Sequence, residues 1–324
     1  MKYITNKAVQ AFLLLSFILF LVLSPIFSTV QASGSEGKDK ISDKKIPVFV
    51  TILPQKFFVE QIGKDRVDVQ AMVEPGASPH TYEPKPQQMT ALSKAKIYFT
   101  VGLPFEKVWL DKISDSNKDM KIVHTDEGID KIYMVSHSHH KDDAEHKAEK
   151  SHLDSDTHAG EEGEPDPHVW LSPKLVSMQA KKIVDGLKEI DPDFSAQYDE
   201  NYKAFISEIF KLDQELKSIF TGRNGVQFMV FHPSWGYFAR DYNLQEIPVE
   251  IEGKTPKPAQ LKELISHARE HKISVVFAQP QFSVKSAQQI AKEIDGEVLF
   301  ADPLAYDWFK NLRDVAAKFR SALK

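Results

Sequence analysis

Short β-branched runs alternate with helically spaced apolar residues twice along this 324-residue chain, once on each side of a long unbroken helical pattern at residues 194–220. Before that pattern, runs at 47–52, 67–73, 96–101 and 121–124 read as strands, with helices at 57–62, 86–95 and 105–113 between them. After it, strands at 227–231, 245–251, 274–278 and 298–301 alternate with helices at 258–271, 285–294 and 306–323. Strands separated by helices build parallel sheets covered on both faces, so two α/β units are predicted. Between them lie helical segments at 173–190 and 194–220; Pro192 ends the first, and Asp191 or Asp193 is placed to cap the second. In the second, Tyr198, Tyr202, Phe205, Ile209, Leu212, Leu216 and Ile219 recur every three or four positions, so one stripe is buried. At ~1.5 Å per residue this helix runs about 40 Å, long enough to bridge two domains. An ordinary helix packed on one domain would show the same pattern.

The amino terminus reads as an export signal. Lys2 and Lys7 precede an apolar run at 11–23, and Val30-Gln31-Ala32 offers small residues for cleavage, giving a signal peptide at 1–32. The run is shorter than the roughly 20 residues a spanning helix needs. Cleavage removes two lysines and no acids, taking the formal net charge from −5 to −7. With no cysteine there are no disulfides, no thiolate metal ligands and no residue to carry a lipid, so a soluble periplasmic protein is expected. The acidic balance, without a Lys/Arg stripe, argues against nucleic acid as a partner.

Seven of the twelve histidines lie between His137 and His168. His137, His139, His140, His146, His152 and His158 sit in an acidic loop at 136–164 with few apolar residues to bury, a composition suited to weak metal capture and unsuited to a core. A solvated insertion without a role has the same acidity but no need of six imidazoles. His80, His168, His232 and Asp302 have a different setting. His80, His232 and Asp302 follow strands, whereas His168 follows the histidine-rich tract and precedes a helix, in Pro79-His80-Thr81-Tyr82-Glu83-Pro84, Phe231-His232-Pro233-Ser234-Trp235-Gly236-Tyr237-Phe238, Asp302-Pro303-Leu304-Ala305 and Asp166-Pro167-His168-Val169-Trp170-Leu171. Ligands of open α/β sheets bind beyond carboxyl ends of strands, and three imidazoles with one carboxylate suit tetrahedral Zn²⁺. Taken singly, a strand-end histidine is a hydrogen-bonding residue and Asp-Pro a turn signal.

Together, in this order, the four segments resemble the metal-binding segments of the zinc and manganese solute-binding proteins of bacterial ABC importers, specifically the zinc-specific, ZnuA-like branch. The resemblance covers nearly all of the mature chain. It implies a two-lobed α/β metal solute-binding protein, each lobe a mostly parallel sheet flanked by helices, with the lobes joined by one long rigid helix. On that pattern a flexible mature amino terminus occupies 33–45, the first lobe 46–192 with the histidine-rich loop, the linking helix 193–221 and the second lobe 222–324. The implied metal ligands are His80, His168, His232 and Asp302, with Glu83 or water as alternatives for the fourth position. Manganese relatives typically place glutamate where His232 stands, so zinc is the implied cargo and Mn²⁺ the alternative. Gln279, in Ala278-Gln279-Pro280-Gln281, stands where many relatives carry glutamate, which leaves fewer carboxylates near the cleft and gives Asp302 more weight. The implied function is a monomeric, non-enzymatic carrier of Zn²⁺ to a membrane permease and its ATPase. A metal buffer or chaperone without a permease is the alternative.

His267-Ala268-Arg269-Glu270-His271 also matches the inverted zinc-hydrolase pattern H-x-x-E-H, which would make a secreted hydrolase. Both histidines fall toward the polar flank of their helix and in its last turn, where imidazole meets the negative end of the dipole. A surface helix end is the better reading. His124 lacks a comparable flanking motif.

Overall fold

The computed structural model describes residues 44–134, 164–250 and 254–322. The expected signal peptide, the mature amino terminus up to residue 43 and the histidine-rich loop through residue 163, with its six imidazoles, lie outside the described residues.

Strands β1 (Ile46–Val50), β2 (Val67–Ala71), β3 (Ile97–Thr100) and β4 (Lys121–His124) form an all-parallel sheet in the order β2-β1-β3-β4. Helices α1 (Leu53–Gly63), α2 (Pro86–Leu92) and α3 (Pro104–Ser116) make its crossovers. The second sheet repeats this plan. Strands β5 (Gln227–Val230), β6 (Gln245–Pro248), β7 (Val275–Ala278) and β8 (Glu297–Phe300) pair in parallel as β6-β5-β7-β8, connected by α6 (Gly236–Asp241), α7 (Pro258–Glu270) and α8 (Lys285–Glu293). Inner strands β3 and β7 are buried at every position, as helices on both faces require, whereas edge strand β2 alternates buried and exposed residues at its first four positions, one of its sides facing solvent. In each sheet the chain reverses direction between the two middle strands, opening a crevice beyond their carboxyl ends.

Helices α4 (Pro173–Ile190) and α5 (Ser195–Phe220) connect the sheets, and α9 (Trp308–Ala322) closes the chain. Ser172 caps α4, its hydroxyl accepting from the Leu175 amide at 3.2 Å. The expected aspartate cap of α5 is not there. Asp191 instead accepts from the Arg66 guanidinium at 2.8 and 3.1 Å and from the Tyr198 hydroxyl at 2.7 Å, and no side chain caps the helix. A long-range ion pair has taken the carboxylate a local cap would use, and that guanidinium holds Asp191 below its ordinary pKa. The expected stripe on α5 is buried at Tyr198, Phe205, Ile209, Leu212 and Leu216.

α5 packs against α1 and α4 on one side of the molecule and against α9 on the other, so it is not a helix of one sheet alone. One continuous core runs from Val48 and Phe99 under the first sheet, through Phe205 and Trp308, to Phe228 and Phe277 under the second. Buried Trp170 donates through its indole to the Pro303 carbonyl at 2.7 Å, and Trp308 donates to the Trp170 carbonyl at 2.8 Å. These bonds satisfy both indoles while locking the two halves across the crevice. The described residues accordingly form one compact unit.

α4 approaches the first sheet closely at Gly186, where a Cβ would lie 3.0 Å from side-chain carbons of both Ile97 and Phe99. Gly186→Val should therefore overpack this layer and cost about 1–3 kcal/mol in chemical denaturation. A variant as stable as the parent would show that the helix can lift without penalty.

Candidate metal centre

Three loops bring His80, His168 and His232 together beyond the carboxyl ends of the strands. His80 lies in the proline-punctuated loop after β2, and His232 stands two residues past β5. His168 precedes a short 3-10 turn leading into α4; its segment is fixed where the Asp166 amide donates to the Ile132 carbonyl at 2.8 Å and the Tyr237 hydroxyl to the Asp166 carbonyl at 2.8 Å. Each histidine presents one nitrogen, and all three nitrogens lie within 4.8 Å of one another. The Nε2 atoms of His80 and His232 are 3.3 Å apart. Two nitrogens bound to one tetrahedral zinc at ~2.0–2.1 Å stand about 3.3–3.4 Å apart, so this pair already has the required span.

Buried carboxylates set the tautomers of two rings. His168 Nδ1 donates to Asp166 Oδ1 at 2.7 Å, and His232 Nδ1 donates to Glu250 Oε1 at 2.5 Å. A carboxylate only accepts, so the proton sits on Nδ1 and the Nε2 lone pair faces the centre. Phe282 stacks on the His232 ring with centroids 4.7 Å apart and planes at 27°. Pro79, Leu103, Trp170, Pro303 and Leu304 supply the remaining, largely apolar walls. The free volume is about 20 Å³, enough for one ion or water and far too small for an organic ligand.

These surroundings favour neutral imidazole, the form that binds metal. His80 is solvent-exposed as a residue, yet desolvation of its ring and the proximity of His232 and His168 hold its pKa down to about 3. Burial lowers the pKa of His232 as well, against the opposing pull of Glu250.

Asp302 does not join the set. Its Oδ1 accepts from the Leu304 amide at 2.9 Å and from Gln281 Nε2 at 2.7 Å, which ties that oxygen into a local turn. Among the described residues the converging set contains no carboxylate, and exposed Glu83 lies outside it too. His267 and His271 lie with ring centroids 4.3 Å apart and planes tilted by 34° at the end of α7, where His267 Nε2 meets Gln227 Oε1 at 2.9 Å. No third donor converges on them among the described residues. His124 Nδ1 pairs with the Thr100 hydroxyl at 2.9 Å.

Sequence reasoning passed over Glu250, and it quoted Asp166 without giving it a role. The signal for Glu250 was positional: it lies two residues beyond β6, as His232 lies two beyond β5 and Asp302 two beyond β8.

Known proteins share this architecture. The family described as "Zinc-uptake complex component A periplasmic" matches residues 48–322. The high-affinity zinc uptake system protein ZnuA of Bacillus subtilis (strain 168) is 28% identical over 280 residues, covering 84% of each chain. A crystal structure of ZnuA is 43% identical with a TM-score of 0.77, covering 87% of this chain and 100% of that one. A ZnuA mutant lacking 138–173, solved with zinc bound, is likewise 43% identical, with a TM-score of 0.76 and coverage of 87% and 99%. The chain belongs to the family of periplasmic A components of zinc-uptake complexes.

Proposed function

We propose that this protein is the periplasmic zinc-binding subunit of an ABC importer, holding Zn²⁺ on His80, His168 and His232 and handing it to a membrane permease coupled to an ATPase. The observation that carries this reading is the convergence of three imidazole nitrogens within 4.8 Å, two of them oriented by buried carboxylates. Three nitrogen donors favour zinc over manganese, which prefers oxygen. Asp302, its Oδ1 held by Gln281 and the Leu304 amide, stands outside the converging set, so the fourth corner is shared between it and water, and its loss costs less than that of any imidazole.

A carrier rather than a hydrolase is supported by a recess sized for one ion, and by the commitment of His267 to Gln227 at the alternative motif. Export and cleavage near Ala32 are supported by the basic and apolar segments that precede it. The weak capture assigned to the loop at 136–164 is supported by its composition, six histidines set among acidic residues.

Metal analysis of the protein purified without a histidine tag, with and without residues 136–164, tests this division. One tightly held zinc is expected in both forms, with further weakly held equivalents only in the full chain. Loss of the tight zinc on deleting the loop would overturn the assignment.

A further inference from the structure

Gln281 stands three residues past the end of β7, where it forms a wall between two cavities. On one side it lines the metal recess together with His80, His168 and His232. On the other it lines a second cavity of about 130 Å³ that reaches Glu74 and Asp302. Asp302 lines only this outer cavity, so its side chain meets the recess through Gln281. The bond between them also fixes the amide. Asp302 Oδ1 accepts from the Leu304 amide and, at 2.7 Å, from Gln281; a carboxylate has no hydrogen to give, so the NH₂ end of Gln281 faces Asp302. That leaves Oε1 as the polar atom Gln281 can offer the recess. It is the one side-chain oxygen among the residues that line it. It is also buried and meets no donor among the described residues. A buried acceptor without a donor costs about 1–3 kcal/mol, which makes this oxygen a place for a ligand.

We infer that Gln281 is a positioning residue for the metal's fourth corner: its Oε1 accepts from the water bound there, and Asp302 acts on the ion through Gln281 by holding the amide in this orientation. This rests on the zinc reading of the three-histidine centre. The same device recurs around the recess. Asp166 and Glu250 each accept from the Nδ1 of a histidine and so turn Nε2 toward the ion; Asp302 accepts from an Nε2 amide and so turns away from itself the oxygen of Gln281. A water on a divalent cation is a polarised donor, and a hydrogen bond with one charged partner is about twice as strong as a neutral one. The other walls are proline, leucine and aromatic rings, against which that water would leave its protons without an acceptor.

A double-mutant cycle of Gln281→Met and Asp302→Ala in the full chain tests this, with His232→Ala as a control. Chelator competition gives zinc affinities, melting gives metal-free stability, and electron-nuclear double resonance of the Co²⁺ form in H₂O and D₂O reports the bound water. Each single variant should bind zinc about tenfold more weakly, the low end for loss of a group that supports a ligand. The double variant should bind no more weakly than the weaker single, because the two residues act in series. The exchangeable-proton couplings of the Co²⁺-bound water should change alike in both singles. The role of Gln281 is overturned if Gln281→Met binds zinc within about twofold of the parent, or if the losses multiply to about a hundredfold in the double, which makes Asp302 an independent ligand. It is overturned equally if parent Co²⁺ carries no exchangeable protons, or if affinity and metal-free stability fall together with unchanged couplings. Gln281→Ala replaces Gln281→Met should that fail to fold; if Asp302→Ala fails, the Gln281 variant decides alone by its affinity and couplings. Tight zinc retained in His232→Ala would instead remove the zinc reading itself; zinc lost there but kept in Gln281→Met removes only the role of Gln281.

Discussion

Alanine at His168 or His232 should weaken zinc binding by about 10²–10³-fold and also destabilise the metal-free protein, whereas alanine at His80 should do only the first. Four-ligand structural sites bind zinc with about 10–16 kcal/mol, or ~2.5–4 kcal/mol per ligand, and each 1.4 kcal/mol is a factor of ten. The folding cost follows from what each ring leaves behind. His168 and His232 are 3% and 5% exposed, and their removal strips the Nδ1 donor from Asp166 and from Glu250, themselves 2% and 6% exposed. A buried acceptor left without its partner costs about 1–3 kcal/mol. His80 is exposed and no carboxylate orients it, so its truncation should stay within about 0.5 kcal/mol of the parent's metal-free stability. Chelator competition gives the affinities and denaturant melts of the metal-free variants give the stabilities. A single histidine variant that keeps parental zinc affinity would show that the converging nitrogens are not the binding set.

The elements legible in the sequence were those whose pattern is long or strongly apolar. α4 and α5 stand within a residue of expectation, because two dozen periodic positions outweigh any local ambiguity. The six residues of α6 are too few for a period to show, and the expected strands ran one to three residues too long wherever apolar residues continue into a loop, as at Val249 beyond β6. The three histidines could be picked out because each sits in a segment dense with proline and aromatic residues, past a strand for His80 and His232 and ahead of a helix for His168. Asp302 occupies such a position too, but nothing in the chain nearby announces that Gln281, twenty-one residues earlier, takes its oxygen. Asp191 illustrates the same limit: its neighbours suggest a cap, and Arg66, 125 residues away, decides otherwise. Local chemistry places a side chain on an element; which of several possible partners it takes is settled by packing between elements.

Lowering the pH from 7.5 to 5.0 should reduce zinc affinity by less than about 10³-fold, although three ordinary histidines would lose more than 10⁴-fold. At pH 5 an imidazole of pKa about 6.5 is protonated roughly thirty to one, and each such ligand surrenders about that factor to proton competition. His80, held at about 3 by desolvation and its two imidazole neighbours, surrenders almost nothing, and the depressed His232 surrenders less than an ordinary histidine. The same depressed pKa that protects the zinc site makes the metal-free fold sensitive to acid. Between pH 6.5 and about 3 the unfolded chain takes up a proton at residue 80 that the folded chain does not, so stability is fully present above pH 6.5 and declines as the pH falls through that window. Zinc affinity should thus persist at a pH where the metal-free melting temperature has already begun to drop. Competition against a chelator of known proton dependence, paired with metal-free melts at each pH, separates the two effects. A loss of 10⁴-fold or more by pH 5 would mean that His80 and His232 take up protons as readily as free imidazole, a result their desolvation and mutual proximity do not allow.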